Sequence, residues 1–314
     1  MFEKIGNFFI KWANSINPWT NVYGLARTII AVSTLLTLLL NRVDILFRPA
    51  SGMSEYPICG NNISIFCMVP NDYMYLNIIK WLAIVLLIII ASGWRPRFTG
   101  IIHWWICYSL QNSALTLDGG EQVSAVITLL LIPITLTDSR KWHWDAPSES
   151  SGIYTKVIAL IAFTAIRFQV AILYLHSTVA KLGNQDWING TAVYYYLQDS
   201  MLGLPPILSD IFSPILSSPL IVLPTWGTII IQFALFAALF APRKNWNIML
   251  ILALCMHEVF ALMLGLISFS LIMLGVLVLY LRPQEKVFQF SFFKKIWDSL
   301  KGGRVSHRLN SKSS

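Results

Sequence analysis

The stretch HSTVAKLGNQDWING sets His176, Lys181, Asp186 and Trp187 together where an apolar run, Ile153–Leu175, stops. Ionisable side chains at the edge of hydrocarbon are costly and are retained mainly where they bind, relay or react. Lys181 and His176 are therefore candidate chemical groups, together with Glu121 and His257 from other apolar segments. Asp118, Trp187, Glu258, Arg167 and Tyr174 are candidates for binding and positioning. Arg167, Tyr174, Thr178 and Lys181 stand at i, i+7, i+11 and i+14, a spacing that puts them on one helical stripe within about 60°. Gln169 and His176 make a second stripe on the other side, which predicts a helix enclosed by neighbours rather than facing lipid. Glu121, Ser124 and Thr128 share one face after LDGG, and Ser109, Asn112 and Thr116 share one face before it. No nucleophile–base pair is legible: Ser177 directly follows His176, and adjacent helical residues point about 100° apart. The sequence has no CxxC, zinc-type spacing, phosphate-cradling glycine loop or internal repeat, so no metal is expected.

Each candidate also has a plainer role open to it. Lys181 can reach for the membrane interface or pair with Asp186. His176 can be a satisfied packing histidine, and Glu258 beside His257 can be a buried structural pair. Arg167 can neutralise a carboxylate or cap carbonyls, while Asp118 and Glu121 can mark a tight turn, since Asp-Gly-Gly is strong turn chemistry. WRPRF and RKWHW fit interface anchors, and His103 and His143 have no better claim.

The elements that must position these groups follow from composition. The 314 residues are 56% hydrophobic and 12% charged, with a mean hydropathy of +0.63. Soluble domains carry about twice that charge. The chain is expected to be an all-α, polytopic integral membrane bundle of about eight transmembrane helices. The spans are expected near Val22–Leu40, Leu76–Gly93, Phe98–Leu117, Gly120–Thr137, Ile153–Leu182, Pro219–Ala241, Trp246–Leu264 and Ile267–Leu281. Residues 1–21 lack a signal-peptide core and fit an amphipathic interfacial segment, 22–283 the membrane domain, and 284–314 a basic cytoplasmic tail.

Lys and Arg divide seventeen to four between the two sides of this arrangement, alternating loop by loop, with Arg27 and Arg167 inside spans. That asymmetry puts both termini in the cytoplasm. It also puts Asp118, Glu121, His176, Lys181, His257 and Glu258 near the outer ends of their helices, the pattern of a pocket opening outward. Cys59 and Cys67 both fall in the first long outer segment and are a disulfide candidate if the compartment is oxidising. The net charge of +8 sits largely in the tail and near the expected inner ends, which favours contact with the lipid bilayer over nucleic acid.

AKLGNQDWINGTAVYYYL and HEVFALMLGLISFSLIMLGVLVL resemble the motifs of the horizontally transferred transmembrane domain family, which includes the vitamin K-dependent gamma-glutamyl carboxylases. NPWTNVYGLARTIIAVSTLLTLLLNRVDILFRP, GWRPRFTGIIHWW, LDGGEQ and LIPITLTDSRKWHW are more similar still to the sporulation-delaying protein B family, across nearly the whole chain. The resemblance implies a bacterial membrane factor that, with a small soluble or peripheral partner protein encoded nearby, helps mature a secreted peptide toxin from its precursor. It places Lys181 at the position of the carboxylases' catalytic base, which acts at reduced quinone, so reduced quinone is the cofactor it would imply. A lysine neutralised by partial burial is a competent base. Trp187 and Gly190 match the rest of that motif, and His257 matches the later histidine. LDGGEQ stands where the carboxylases carry a second functional histidine, and their large luminal domain is not expected here, which argues against glutamate carboxylation.

Three functions follow: maturation, processing or export of an antimicrobial peptide at an outward-facing intramembrane site; a quinone-dependent membrane enzyme acting on another substrate; and a toxin-binding, immunity or transport protein.

Overall fold

Apolar stretches of this length satisfy their backbone groups as helices, because no water is available to do so inside a bilayer. The computed structural model describes residues 2–289 other than 51, 53, 54, 61, 116, 147–151 and 200–202. Thr116 and the tail from residue 290 onward lie outside the described residues. The helices are α1 (Phe2–Ser15), α2 (Asn21–Leu40), α3 (Val43–Leu46), α4 (Tyr73–Ser92), α5 (Pro96–Ser113), α6 (Gly119–Thr137) and α7 (Ile153–Leu182). They continue with α8 (Gln185–Ile188), α9 (Ala192–Leu197), α10 (Pro206–Leu216), α11 (Val222–Ala237), α12 (Trp246–Leu264) and α13 (Ile267–Leu281). Among the described residues there is no strand, and Trp94 and Trp142 form an isolated bridge. The chain is all-α.

Six of these segments are long and apolar enough to cross a membrane: Asn21–Leu40, Tyr73–Ser92, Gly119–Thr137, Ile153–Leu182, Pro219–Ala237 and Arg243–Leu264. The other two expected crossings are also helices, but α5 is more polar and α13 has only 15 residues. At 1.5 Å per residue α13 is roughly 22 Å long, short of a hydrocarbon core of about 30 Å. Its environment explains its composition. From Ser270 to Leu281 it is almost wholly buried, packed between α2, α12 and α6. Gly275 permits the close approach to α2: a Cβ there would sit 2.8 Å from Ile30 Cγ1 and 2.9 Å from the Ala26 carbonyl oxygen.

Two apolar cores share α2. One joins Trp19, Tyr23, Ile30, Phe163, Tyr174, Trp246 and Tyr280 across α2, α7, α12 and α13. The other joins Leu38, Phe47, Phe66, Leu76, Leu87 and Leu110 across α2 to α5. Outward-facing residues are also apolar, among them Ile78, Trp81, Val85 and Ile88 of α4. A large exposed apolar surface of this kind is what a membrane covers. The enclosure expected for α7 is not found: Ile161, Phe168, Ile172, His176 and Val179 are exposed along one of its sides.

The segment RKWHW is more than an interface anchor. His143 is completely buried and closes a clasp over α2 and α4. Its backbone N–H donates to the Gly93 carbonyl at 3.0 Å, its Nε2 lies 3.2 Å from Thr28 Oγ1, and its Nδ1 lies 3.5 Å from Arg27 Nη1. Arg27 is also fully buried and donates to Thr99 Oγ1 at 2.7 Å, while Arg140 pairs with Asp138 at 2.8 Å. Burial, and then the Arg27 guanidinium, hold the His143 imidazole well below its ordinary range, so the ring is neutral. Gly93 ends α4 in the left-handed region at φ 87°, and a Cβ there would collide with the His143 ring. Sequence reasoning missed this because a histidine flanked by tryptophans and basic residues has the same composition as a membrane-surface anchor.

Cys59 and Cys67 are bonded, with Cα atoms 5.5 Å apart, inside the usual span for a disulfide. The bond lies in the connection between α3 and α4, which is tied to the α5–α6 end by Ile58 N–H to Ser113 O at 3.1 Å and Leu115 N–H to Leu46 O at 3.1 Å. Intact cells treated with a membrane-impermeant maleimide should show no labelling of Cys59 or Cys67 until a reductant is added. Labelling of both without reduction rules the bond out.

Candidate functional site

Helix direction alternates through the bundle, so the start of α6, the end of α7, the end of α12 and the start of α13 meet at one end. The contacts there are specific. The Tyr174 hydroxyl of α7 lies 2.9 Å from His257 Nε2 of α12, and both residues are buried. The imidazole is walled by Phe260 and by Phe269 of α13, whose ring centres lie 5.9 and 5.3 Å away, edge-on. His257 Nδ1 is buried with no hydrogen-bond partner. A buried polar atom left unpaired is unusual and marks a place where something else can bind.

The carboxylates divide by role. Asp118 caps α6 by accepting from Gly120 N–H at 2.7 Å, and its second oxygen accepts from Ser268 Oγ at 2.7 Å and Phe269 N–H at 3.1 Å. It is a brace between the starts of α6 and α13. Glu121, one turn inside α6, is buried and accepts from Thr37 Oγ1 of α2 at 2.9 Å. Its Oε2 is buried with no donor in reach, and the carboxyl interacts with that of Asp118. Glu258 is exposed and accepts from Ser270 Oγ at 3.0 Å, so its neighbour His257 is the inward member and the two do not pair with each other. A single residue's step along the helix accounts for that split.

Lys181 lies two turns beyond Tyr174 on the same side of α7. Its Nζ donates to Ser177 Oγ at 2.9 Å, Ser177 donates to Gln232 Oε1 of α11 at 3.1 Å, and the ammonium stands 5.0 Å from the centre of the Trp187 ring. Among the described residues no carboxylate pairs with it, and Asp186 is exposed. Neutral groups position this amine. Trp187 also lines a cleft of about 180 Å³ with Asn184, Asp186, Ala192, Tyr195, Tyr196 and Asp199, so Lys181 sits against the wall of an open space formed by α8 and α9. Gly190, at φ 79°, lets the turn between those helices pass over Val222, 2.8 Å from where a Cβ would stand.

Two candidates fall outside this group. His176 is exposed on the apolar side of α7, because two residues past Tyr174 is more than half a turn away. Arg167 lies toward the opposite end of the bundle, stacked at 3.9 Å on Trp246. Conversely, Thr37, Gln232 and Ser270 belong to the site and were not singled out, and Ser177, set aside as a nucleophile, belongs to it as the partner of Lys181. Gln232, a lone amide in the apolar run of α11, carried the signal that would have found one of them.

Replacing Tyr174 by Phe leaves both nitrogens of a buried imidazole unpaired. The expected cost is about 1–3 kcal/mol of stability, read as an earlier unfolding transition of the purified protein in detergent. Unchanged unfolding would show that the pair does not anchor α7 to α12.

The chain is 52% identical over 309 residues to the uncharacterized protein YitO of Bacillus subtilis, covering 98% of this chain and 100% of that one. It is 37% identical over 318 residues to sporulation-delaying protein SdpB of Bacillus subtilis, covering 99% and 97%. The chain belongs to the SdpB family. No family model and no solved structure matches it. The match to SdpB runs nearly end to end and so spans the segment from Thr37 to Ser270 that holds the site.

Proposed function

We propose that this SdpB-like chain is a cell-membrane factor for the maturation, processing or export of a secreted antimicrobial peptide. It acts at an intramembrane site facing outward, with Lys181, Glu121 and His257 as its reactive or proton-handling groups and Trp187, Tyr174 and Asp118 positioning them. The observation that carries the reading is that Glu121, held by Thr37, and the Tyr174–His257 pair lie at the same end of the bundle, with buried side-chain atoms of Glu121 and His257 that accept or donate no hydrogen bond. Lys181 extends the same side of α7 toward the Trp187 cleft.

The proposal includes eight crossings with both termini cytoplasmic. Two features support that orientation. The Cys59–Cys67 bond lies at the site's end, as an oxidising exterior requires, and Arg95, Arg97, Lys141, Arg243 and Lys244 lie at the other, as the positive-inside rule requires of the cytoplasmic face. The partners are the bilayer, a secreted peptide precursor and a small soluble or peripheral protein encoded nearby. A quinone-dependent reaction of the gamma-carboxylase type is the second reading, favoured by one feature: Lys181 sits beside an aromatic face and an open cleft and is held by neutral groups. Kinship with the horizontally transferred transmembrane domain family belongs with that second reading.

Deleting the gene should remove the mature peptide from the medium while the precursor accumulates, as read by mass spectrometry of both fractions. Normal mature peptide after deletion ends the proposal. Loss of producer-cell survival with normal peptide would indicate an immunity role.

A further inference from the structure

At the end of the bundle away from Lys181, three guanidinium groups converge on one cavity. It measures about 80 Å³ and is lined by Arg167 of α7, Arg243 before α12 and Arg282 after α13, with Trp12, Trp246 and Glu285. A single water needs only roughly 10–15 Å³ of such space, so a group the size of a phosphate fits. The charges around it are unbalanced. Glu285 is already paired with Arg243 at 3.0 Å. Arg282 directs its Nε to the Lys286 carbonyl at 3.0 Å and lies over Phe288 at 4.6 Å. Arg167 has no ion pair among the described residues, and its Nε is buried and unpaired.

Arg167 and Arg243 also share one indole, their guanidinium carbons 3.9 and 5.7 Å from the centre of the Trp246 ring. Stacking on tryptophan offsets part of the cost of a half-buried guanidinium, but two like charges on one ring repel. A buried cation needs a counter-charge, and forked guanidinium donors match phosphate oxygens in pairs.

We propose that this cavity binds the anionic phosphate of a membrane lipid headgroup. The setting selects lipid over free phosphate. The cavity lies where α12 begins and α13 ends, with Trp246 at the boundary, and Ile16, Leu160 and Leu279 give its lining an apolar side suited to the glycerol end of a lipid rather than to a hydrated free ion. Helix α1 packs against α7 at this point, so a bound headgroup ties α1, α7, α12 and the segment after α13 together. The site is separate from the peptide site and stands whether or not that function holds.

The test uses the full-length protein purified in detergent. Short-chain phosphatidylglycerol, phosphatidylcholine and inorganic phosphate are each titrated while unfolding temperature is followed, and native mass spectrometry counts retained lipid. Phosphatidylglycerol should bind saturably and raise the unfolding temperature. Arg167→Met, and separately Arg243→Gln at an exposed position that folding tolerates, should each weaken it about tenfold or more, as expected for loss of a charge-assisted contact. Equal binding of phosphatidylglycerol by wild type and both variants, or equal binding of phosphatidylcholine, overturns the site. Stabilisation by inorganic phosphate at the same concentration overturns the lipid assignment.

Discussion

Cells carrying Lys181→Ala should release at least about a hundredfold less mature peptide than wild type, the lower range for losing a proton-transferring group. The amine is placed for that role by Ser177 and the Trp187 ring, and Ala removes both contacts at once. Lys181→Arg separates charge from proton transfer. Arginine keeps the positive charge and can stack on Trp187, but it cannot shed its proton. If Lys181 is a base, Arg fails as Ala does. If the position needs only a cation for an anionic part of the precursor, Arg restores release. Normal release from both variants removes Lys181 from the mechanism, and Western analysis of the membrane fraction must show equal protein for each comparison.

Gly93→Ala should be strongly destabilising. Two costs add: a non-glycine residue at φ 87°, about 1–2 kcal/mol, and overpacking against the His143 ring, typically about 1–3 kcal/mol. The sum, about 2–5 kcal/mol, is a large fraction of the roughly 5–15 kcal/mol that holds a typical domain folded. Denaturant unfolding in detergent measures it, with Gly227→Ala as the control, since a Cβ there meets nothing within 4 Å. Equal stability of the two variants would show that the clasp yields. Because His143 is held neutral in the folded chain and would charge on unfolding, its contribution is full above the ordinary imidazole range. It declines as pH falls below that range.

The helices were legible because runs such as Tyr73–Ser92 leave the backbone no alternative in lipid, and all eight expected segments overlap helices, several with ends fixed by visible signals. Asp72 and Asp118 cap by their side chains, and Gly93 and Gly265 stop helices at positive φ. What could not be read was which side of a helix faces a neighbour. Hydropathy gives nearly the same value for lipid-facing and protein-facing apolar residues, so His176 and Tyr174 looked equivalent although only Tyr174 turns inward. Arg167 was judged by its place in an apolar run. Its height in the bundle depends on how far α7 extends past Trp246, which no local pattern encodes. Asp118 and Glu121 were legible as a pair, but the division of labour between a brace and a half-satisfied carboxyl depends on Ser268 and Thr37, far away in sequence.

The His143 clasp has a consequence for the order in which the molecule is made. Arg27, Thr28 and Gly93, which it grips, and Thr99, which Arg27 holds, emerge from the ribosome before His143 does, and α7 emerges after. Helices α2 to α5 also share an apolar interior that uses nothing beyond Leu117. The early part of the chain can therefore lock as a unit while the later helices are still being inserted, and α13 arrives last to fill the slot left along α2.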